Sequence, residues 1–259
     1  MIELAGSAAL ITGGCGGIGR AVAQRLVAAG ATVVLADIDD PEGIAERLGA
    51  HFVRTDVSRP ADVAAAVAAA EEQAPLRFVH LNAGVTSTVP LEEVSEQLYS
   101  RAVGVNLDGV FWGIQSAAPA LRRAGGGAIV ATSSLAGLAP QSGDAIYSAT
   151  KSAVIALVRS IGPTLRADGI RLNCVCPGFA DTPMVPATVR ESGFPMLTAG
   201  EVADAVLTIA HGDGDSDAYV LQPGLELMRY RFHGVPGART QAGDGTSTVF
   251  SGEGIVGAG

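Results

Sequence analysis

The 259-residue chain has almost no lysine: sixteen of its seventeen basic residues are arginine, and the single ammonium is Lys151. A compact point charge kept where guanidinium forks are otherwise the rule suggests a task that a fork cannot perform. Cysteine is nearly as scarce. Cys15, Cys174 and Cys176 offer neither a CxxC pair nor an even disulfide framework, and no histidine stands near them in sequence, which argues against a zinc site. Cys174 and Cys176 instead alternate like small core residues of a strand. Positive charge is also in deficit, with 17 Lys plus Arg against 26 Asp plus Glu for a net charge of −9, a balance that repels nucleic-acid backbones and anionic membrane surfaces. No apolar run approaches the ~20 residues that span a bilayer, and residues 1–7 carry no basic residue ahead of their apolar stretch. The expectation is a cytoplasmic protein without nucleic-acid or membrane partners.

What the chain does have is apolar surface for a core: 48% of its residues are hydrophobic and 17% charged, which excludes disorder of the whole chain. Short apolar runs near 8–12, 31–36, 51–54, 76–81, 127–133, 170–176 and 217–221 read as strands. Amphipathic stretches near 17–29, 42–48, 60–73, 92–123 (in two pieces), 147–167 and 199–211 read as the helices between them. This alternation predicts an α/β fold: a single-domain, Rossmann-type, doubly wound parallel sheet of about seven strands with helices on both faces. Asp40-Pro41-Glu42 reads as an N-cap with proline at the first helical position, and Gly30 as a left-handed C-cap. Pro163 should kink or shorten the 147–167 helix. The sequence divides at Gly224 into a catalytic domain, 1–224, and a C-terminal tail, 225–259. Eight glycines between Gly234 and Gly259 suit either a flexible tail or an arm that orders over a neighbouring subunit.

The first strand runs into Thr12-Gly13-Gly14-Cys15-Gly16-Gly17-Ile18-Gly19 and then a helix. Glycines there let the backbone approach a pyrophosphate, and the free amides at the helix start meet its charge. Asp37 ends the second strand, 18 residues beyond Gly19, where a carboxylate can take both ribose hydroxyls of an adenosine. A 2′-phosphate against that carboxylate would cost several kcal/mol, so NAD is expected rather than NADP. Neither Gly14, Cys15 nor Ile38 supplies a cation for such a phosphate, and Arg20 is expected to face solvent.

Tyr147-Ser148-Ala149-Thr150-Lys151 places a phenol and the lone ammonium four residues apart, on one face of a helix. A free tyrosine with a pKa of about 10 serves as a base near neutrality only after a shift of roughly three units, or about 4 kcal/mol. A positive charge about 4 Å away at an effective dielectric near 20 supplies roughly that amount. The plain alternative is a solvated helix face.

Taken together, Thr12 to Gly19, Asn82-Ala83-Gly84, Ser134, Tyr147 with Lys151, and Pro177-Gly178 with Thr182 resemble the NAD-dependent branch of the short-chain dehydrogenase/reductase family over about residues 5–224. Ser134 lies 13 residues before Tyr147, matching the family's interval, and Ser133 is its neighbour. The resemblance implies that Tyr147 exchanges a proton with a secondary alcohol or its ketone, and that Ser134 holds the substrate oxygen. It further implies that Lys151 lowers the tyrosine pKa and binds the nicotinamide ribose, and that Asn106 anchors a water linking the lysine to solvent. Asn106 as a polar cap at a break in a long helix is compatible with that role. For the cofactor it implies Gly13, Cys15, Gly16, Gly17, Ile18 and Gly19 at the phosphates, Asp37 and Ile38 at the adenosine ribose, and Asp56 and Val57 along the adenine. Asn82, Ala83 and Gly84 then lie under the ribose, and Pro177, Gly178, Phe179 and Thr182 around the nicotinamide amide. Asp56 could otherwise close a turn before Ser58.

Residues 179–198 hold Phe179, Met184, Val185, Val189, Phe194, Met196 and Leu197 among three prolines. They read as an apolar lid that, with Leu135, Leu138 and Ile146, suits a small hydrophobic alcohol or ketone. Asp181 and Arg190 are expected at its rim. Relatives of this kind are homodimers or homotetramers, and one is expected here. The rival reading is a nicotinamide-binding sensor or scaffold without turnover, which predicts a damaged Ser, Tyr, Lys set. One departure from the family pattern is Tyr219 to Gly224, which stands where a Val-Asp-Gly-Gly type of turn is usual.

Overall fold

The computed structural model describes residues 2–233, 250–251 and 254–255. The apolar runs form β1 (Ala8–Thr12), β2 (Thr32–Asp37), β3 (His51–Arg54), β4 (Leu76–Leu81), β5 (Gly127–Thr132), β6 (Ile170–Pro177) and β7 (Ala218–Leu221), all parallel. β8 (Met228–Arg229) adds an antiparallel edge to β7, so the sheet has eight strands rather than about seven, in the order 3-2-1-4-5-6-7-8. A two-residue strand of one apolar and one charged residue has no periodicity to read. β1 and β5 are buried along their whole length, as expected of strands covered on both faces.

Helices α3 (Pro60–Gln73), α5 (Gly109–Arg123) and α6 (Ala145–Arg166) cover one face, and α1 (Gly17–Ala28), α2 (Ile44–Leu48) and α8 (Ala199–His211) the other. α4 (Glu96–Val103) leads into α5 through a π-helical turn, Gly104–Asp108, and α7 (Ala187–Arg190) lies in the long segment before α8. α5 can lie close on the sheet because Gly113 leaves room for Leu81, whose Cδ1 would stand 3.1 Å from an added Cβ. Among the described residues no helix is long and apolar enough to cross a membrane.

Several local expectations shift. Gly30 does close α1 in the left-handed region as expected, with φ +82°. Asp40 caps one turn later than predicted: Pro41–Gly43 is a 3-10 turn, and the Asp40 carboxylate accepts from the amides of Ile44 (2.6 Å) and Ala45 at the start of α2. α6 begins at Ala145, because Asp144 caps it through the Tyr147 amide at 3.1 Å. The helix runs through Pro163 to Arg166 without shortening, although the proline leaves the Arg159 carbonyl without its helical hydrogen bond. The expected arm or flexible tail beyond residue 233 lies outside the described residues, apart from an antiparallel pair, Phe250–Ser251 with Gly254–Ile255.

Candidate active site

The strand order reverses between β1 and β4, and a crevice opens over their C-terminal ends, where open α/β sheets bind ligands. Thr12 ties the two ends together: its Oγ1 accepts from the amides of Asn82 (2.9 Å) and Ala83 (3.2 Å), while Asn82 Nδ2 donates to the Gly13 carbonyl at 3.1 Å. Gly13 has φ +61°, and a Cβ there would come within 2.8 Å of the Ala83 Cα. Only glycine turns the chain at this point. Gly16, the N-cap of α1, has no side chain, and no acidic residue stands in the first turn. The opening amides of α1 are therefore left for an anionic group from outside. Those uncapped amides, with the carboxylate described next, fit a dinucleotide.

Asp37 leaves β2 at the same rim. Its Oδ2 accepts from the Cys15 amide (3.0 Å) and its Oδ1 from the Ile38 amide (2.8 Å). Burial raises its pKa, and those backbone amides work against the rise. The Cys15 thiol is pushed up to about 12 by burial and by the charges of Asp37 and Asp40, so it is no nucleophile near neutral pH. Arg20 departs from expectation: it is half-buried along the crevice wall, near enough for its charge to act on Cys15. A residue in the first turn of α1 cannot swing far from the loop that turn follows.

The crevice measures about 1390 Å³. Every position assigned to the cofactor from sequence lines it except Gly19, which sits beneath the loop, where a Cβ would come within 2.8 Å of the Gly14 Cα. Asp56 lines it while its Oδ1 holds the Ser58 amide (3.0 Å) and hydroxyl (2.7 Å), so it both faces the crevice and closes the turn. Phe179 stacks edge-on against Phe194 at 5.4 Å, and Thr182 rests on Gly17.

Ser134, Tyr147 and Lys151 share one wall. Ser134 leaves β5 and receives the Ala136 amide at 3.1 Å, which fixes its rotamer. Lys151 is buried, donates to the Thr132 carbonyl at 2.8 Å, and stands 5.6 Å from the centre of the Tyr147 ring. Burial brings its pKa down to about 8, opposed by the thiols of Cys176 and Cys174. Burial also raises Tyr147, with the Ser134 hydroxyl pulling it down and the Asp144 charge pushing it up. The expectation that the lysine charge brings the phenol down is therefore not met: the ammonium is turned to Thr132, and desolvation governs. Ser133 is buried and donates to the Lys151 carbonyl at 2.8 Å, clamping α6 to β5.

Asn106 does not line the crevice. It lies buried in the π-helical turn, with Oδ1 accepting from the Val85 amide (2.8 Å) and Nδ2 donating to the Val85 carbonyl (2.9 Å) and to Thr150 Oγ1 (3.2 Å). Both Lys151 Nζ and Asn106 Oδ1 border Gly84, at 3.4 and 3.5 Å from the point where a Cβ would sit.

At the substrate end, Met184, Val185 and Val189 line the crevice with Phe179 and Leu135, whereas Leu138, Ile146, Phe194, Met196 and Leu197 do not. Leu197 is buried against the α1 and α8 face instead. Asp181 and Arg190 pair at 2.7 Å on the rim. Sequence reasoning missed Thr86, Thr88, Ala139, Gln141 and Asp144 in this lining, Thr132 as the acceptor for Lys151, and His80, whose Nε2 lies 2.9 Å from Thr132 Oγ1. Asp144 alone left a local signal, as a capping residue three positions before Tyr147.

Comparison with known proteins places residues 7–192 within the short chain dehydrogenase family model. A 2,5-dichloro-2,5-cyclohexadiene-1,4-diol dehydrogenase of Sphingobium indicum is 35% identical over 221 residues, covering 81% of this chain and 88% of that protein. A cis-4-hydroxycyclohexanecarboxylate dehydrogenase of Sinomonas cyclohexanicum is 37% identical, covering 78% and 88%. Among solved structures, a 3-ketoacyl-(acyl-carrier-protein) reductase from Brucella melitensis complexed with NADH superposes with a TM-score of 0.78 at 29% identity, covering 85% of this chain and 98% of that one.

Proposed function

The chain belongs to the short-chain dehydrogenase family, and we propose that it is an NAD-dependent oxidoreductase interconverting a small hydrophobic secondary alcohol and its ketone, with an alicyclic ring on the substrate. One observation carries the reading: Ser134, Tyr147 and Lys151 meet in a wall continuous with the Gly13–Gly17 loop and Asp37. The ring is supported by the six-membered substrates in the names of two relatives and by the apolar lining from Leu135, Ala139, Met184, Val185 and Val189. The NADH complex of a structural neighbour supports the cofactor, and Asp37 the choice of NAD over NADP.

When bound, NAD supplies the hydride acceptor at nicotinamide C4 and, oxidised, a positive charge. Tyr147 takes the carbinol proton on its phenolate oxygen in oxidation and returns it in reduction. Ser134 donates to the substrate oxygen, where charge develops. Lys151 holds a charge in the buried wall behind the phenol, and the Thr132 carbonyl aims it. Asn106 fixes the 82–88 segment through both backbone groups of Val85 and stands beside Lys151 across Gly84, where it can anchor a water. The proposed working protein is a cytoplasmic homodimer or homotetramer with its catalytic domain in residues 1–224. A panel of secondary alcohols, including cyclohexanol and cis-4-hydroxycyclohexanecarboxylate, offered with NAD or NADP tests the reading. NADH formation with cyclic members is expected, and no turnover of any alcohol or ketone with either cofactor would reject it.

A further inference from the structure

The crevice contains a buried carboxylate that the reaction as described does not use. Asp144 is 4% exposed, and four donors converge on it. Oδ2 accepts from the Ser87 amide (2.9 Å) and Thr88 Oγ1 (3.1 Å), and Oδ1 from the Tyr147 amide (3.1 Å) and the Ser87 hydroxyl. Two of the donors are backbone amides on different segments. One opens α6 at the tyrosine itself, and the other belongs to the 82–88 segment, 57 residues away in sequence, which forms the opposite wall. A backbone N–H cannot turn round to accept. A side chain with one acceptor oxygen and an NH2 group would leave one of them facing a donor, so only a two-oxygen acceptor satisfies both.

We propose that Asp144 is a positioning residue for this reaction: it bolts the substrate-side wall at Ser87 and Thr88 to the first turn of α6, and so sets where the Tyr147 hydroxyl stands relative to the substrate carbinol. The proposal rests on the reading of Tyr147 as the proton-transfer group. Its charge has a second consequence. Of the charged groups around the crevice, Asp37, Asp56 and Arg20 lie at the adenosine end and Arg101 on the lining, while Lys151 and Asp144 share α6 with the tyrosine. From the turn after β5, the Ser134 hydroxyl acts on the phenol. The 82–88 segment brings no titratable side chain. Asp144 is thus the anion nearest the phenol in sequence, and it raises the phenol's pKa.

The test compares wild type with Asp144→Ser, which can still cap α6 but is too short to reach Ser87, and with Ser87→Ala. Initial rates are followed across pH with NAD and with whichever of cyclohexanol or cis-4-hydroxycyclohexanecarboxylate turns over faster. For Asp144→Ser the alcohol KM is expected to rise about tenfold with the NAD KM little changed, and the midpoint of the acid limb, where the rate of alcohol oxidation falls as the phenolate is protonated, to move down by about half a pH unit or more. For Ser87→Ala the alcohol KM should rise about threefold. Wild-type KM and pH midpoint in Asp144→Ser would overturn the proposal. If that variant does not fold, an unchanged alcohol KM in Ser87→Ala overturns it. Tyr147→Phe, run in parallel, keeps the two claims apart: turnover retained there rejects the proton-transfer reading, whereas an inactive Tyr147→Phe beside a wild-type-like Asp144→Ser rejects only the role of Asp144.

Discussion

Lys151 directs its ammonium at the Thr132 carbonyl, 2.8 Å away, with the Tyr147 ring centre at 5.6 Å. The only lysine of the chain is thus buried and held by backbone, with the phenol in reach of its field. Burying a charge there has a cost that depends on pH. The unfolded chain binds a proton at this side chain up to about 10.5, and the folded one only up to about 8. Between those values the unfolded state binds more protons, so folding stability rises with pH, by about 3 kcal/mol from this group. Denaturant titrations of wild type and Lys151→Met should show wild type gaining on the variant from pH 8 to 10.5. A constant difference would contradict the burial.

His80 gives the acid counterpart. It is completely buried on β4, its Nδ1 has no partner among the described residues, and burial takes its pKa down to about 3. Unfolded, it protonates near 6.5, so stability present above 6.5 is lost as the pH falls toward 3, by up to about 5 kcal/mol. His80→Val should flatten that limb of the stability profile, measured by urea unfolding between pH 4 and 7. An equally steep limb in the variant would assign the loss to other groups.

For Asp37 the expectation concerns selectivity. Wild type should bind NAD at least about a hundredfold more tightly than NADP, because a phosphate beside this carboxylate costs several kcal/mol. Asp37→Ala should remove most of that preference, and Arg20, on the same crevice wall, is placed to favour the phosphate once the carboxylate is gone. Fluorescence titration of both cofactors gives the ratio, and a wild-type preference for NADP would refute the argument.

Gly13→Ala should cost stability and cofactor affinity together. The new Cβ meets the Ala83 Cα at 2.8 Å on backbone held at φ +61°, a strain of about 1–3 kcal/mol before any rearrangement. Calorimetry of the ligand-free variant separates the fold from the site. An unshifted melting temperature would show that the loop can yield.

The sequence made the central strands legible because β1 and β5 are short apolar runs buried along their whole length. The loop from Thr12 to Gly19 could be read because phosphate chemistry dictates its glycines. Features that depend on distant partners were not legible. Asp144 can be recognised as a cap, but nothing in its neighbourhood announces Ser87, and β8 is too short to carry a pattern. Residues 179–198 have no periodicity, so their side chains could not be sorted, and Leu197 belongs to the core while Val189 faces the crevice. For Tyr147, a Coulomb argument from spacing counts the ammonium and omits the desolvation that the fold imposes on the phenol.

The most direct measurement is NAD reduction by Tyr147→Phe, followed at the nicotinamide absorbance with the best cyclic alcohol of the panel, beside a titration of its NAD affinity. The expected result is a fall in kcat of at least about a hundredfold with NAD bound as tightly as by wild type. Turnover close to wild type in that variant would contradict the assignment of the proton to Tyr147.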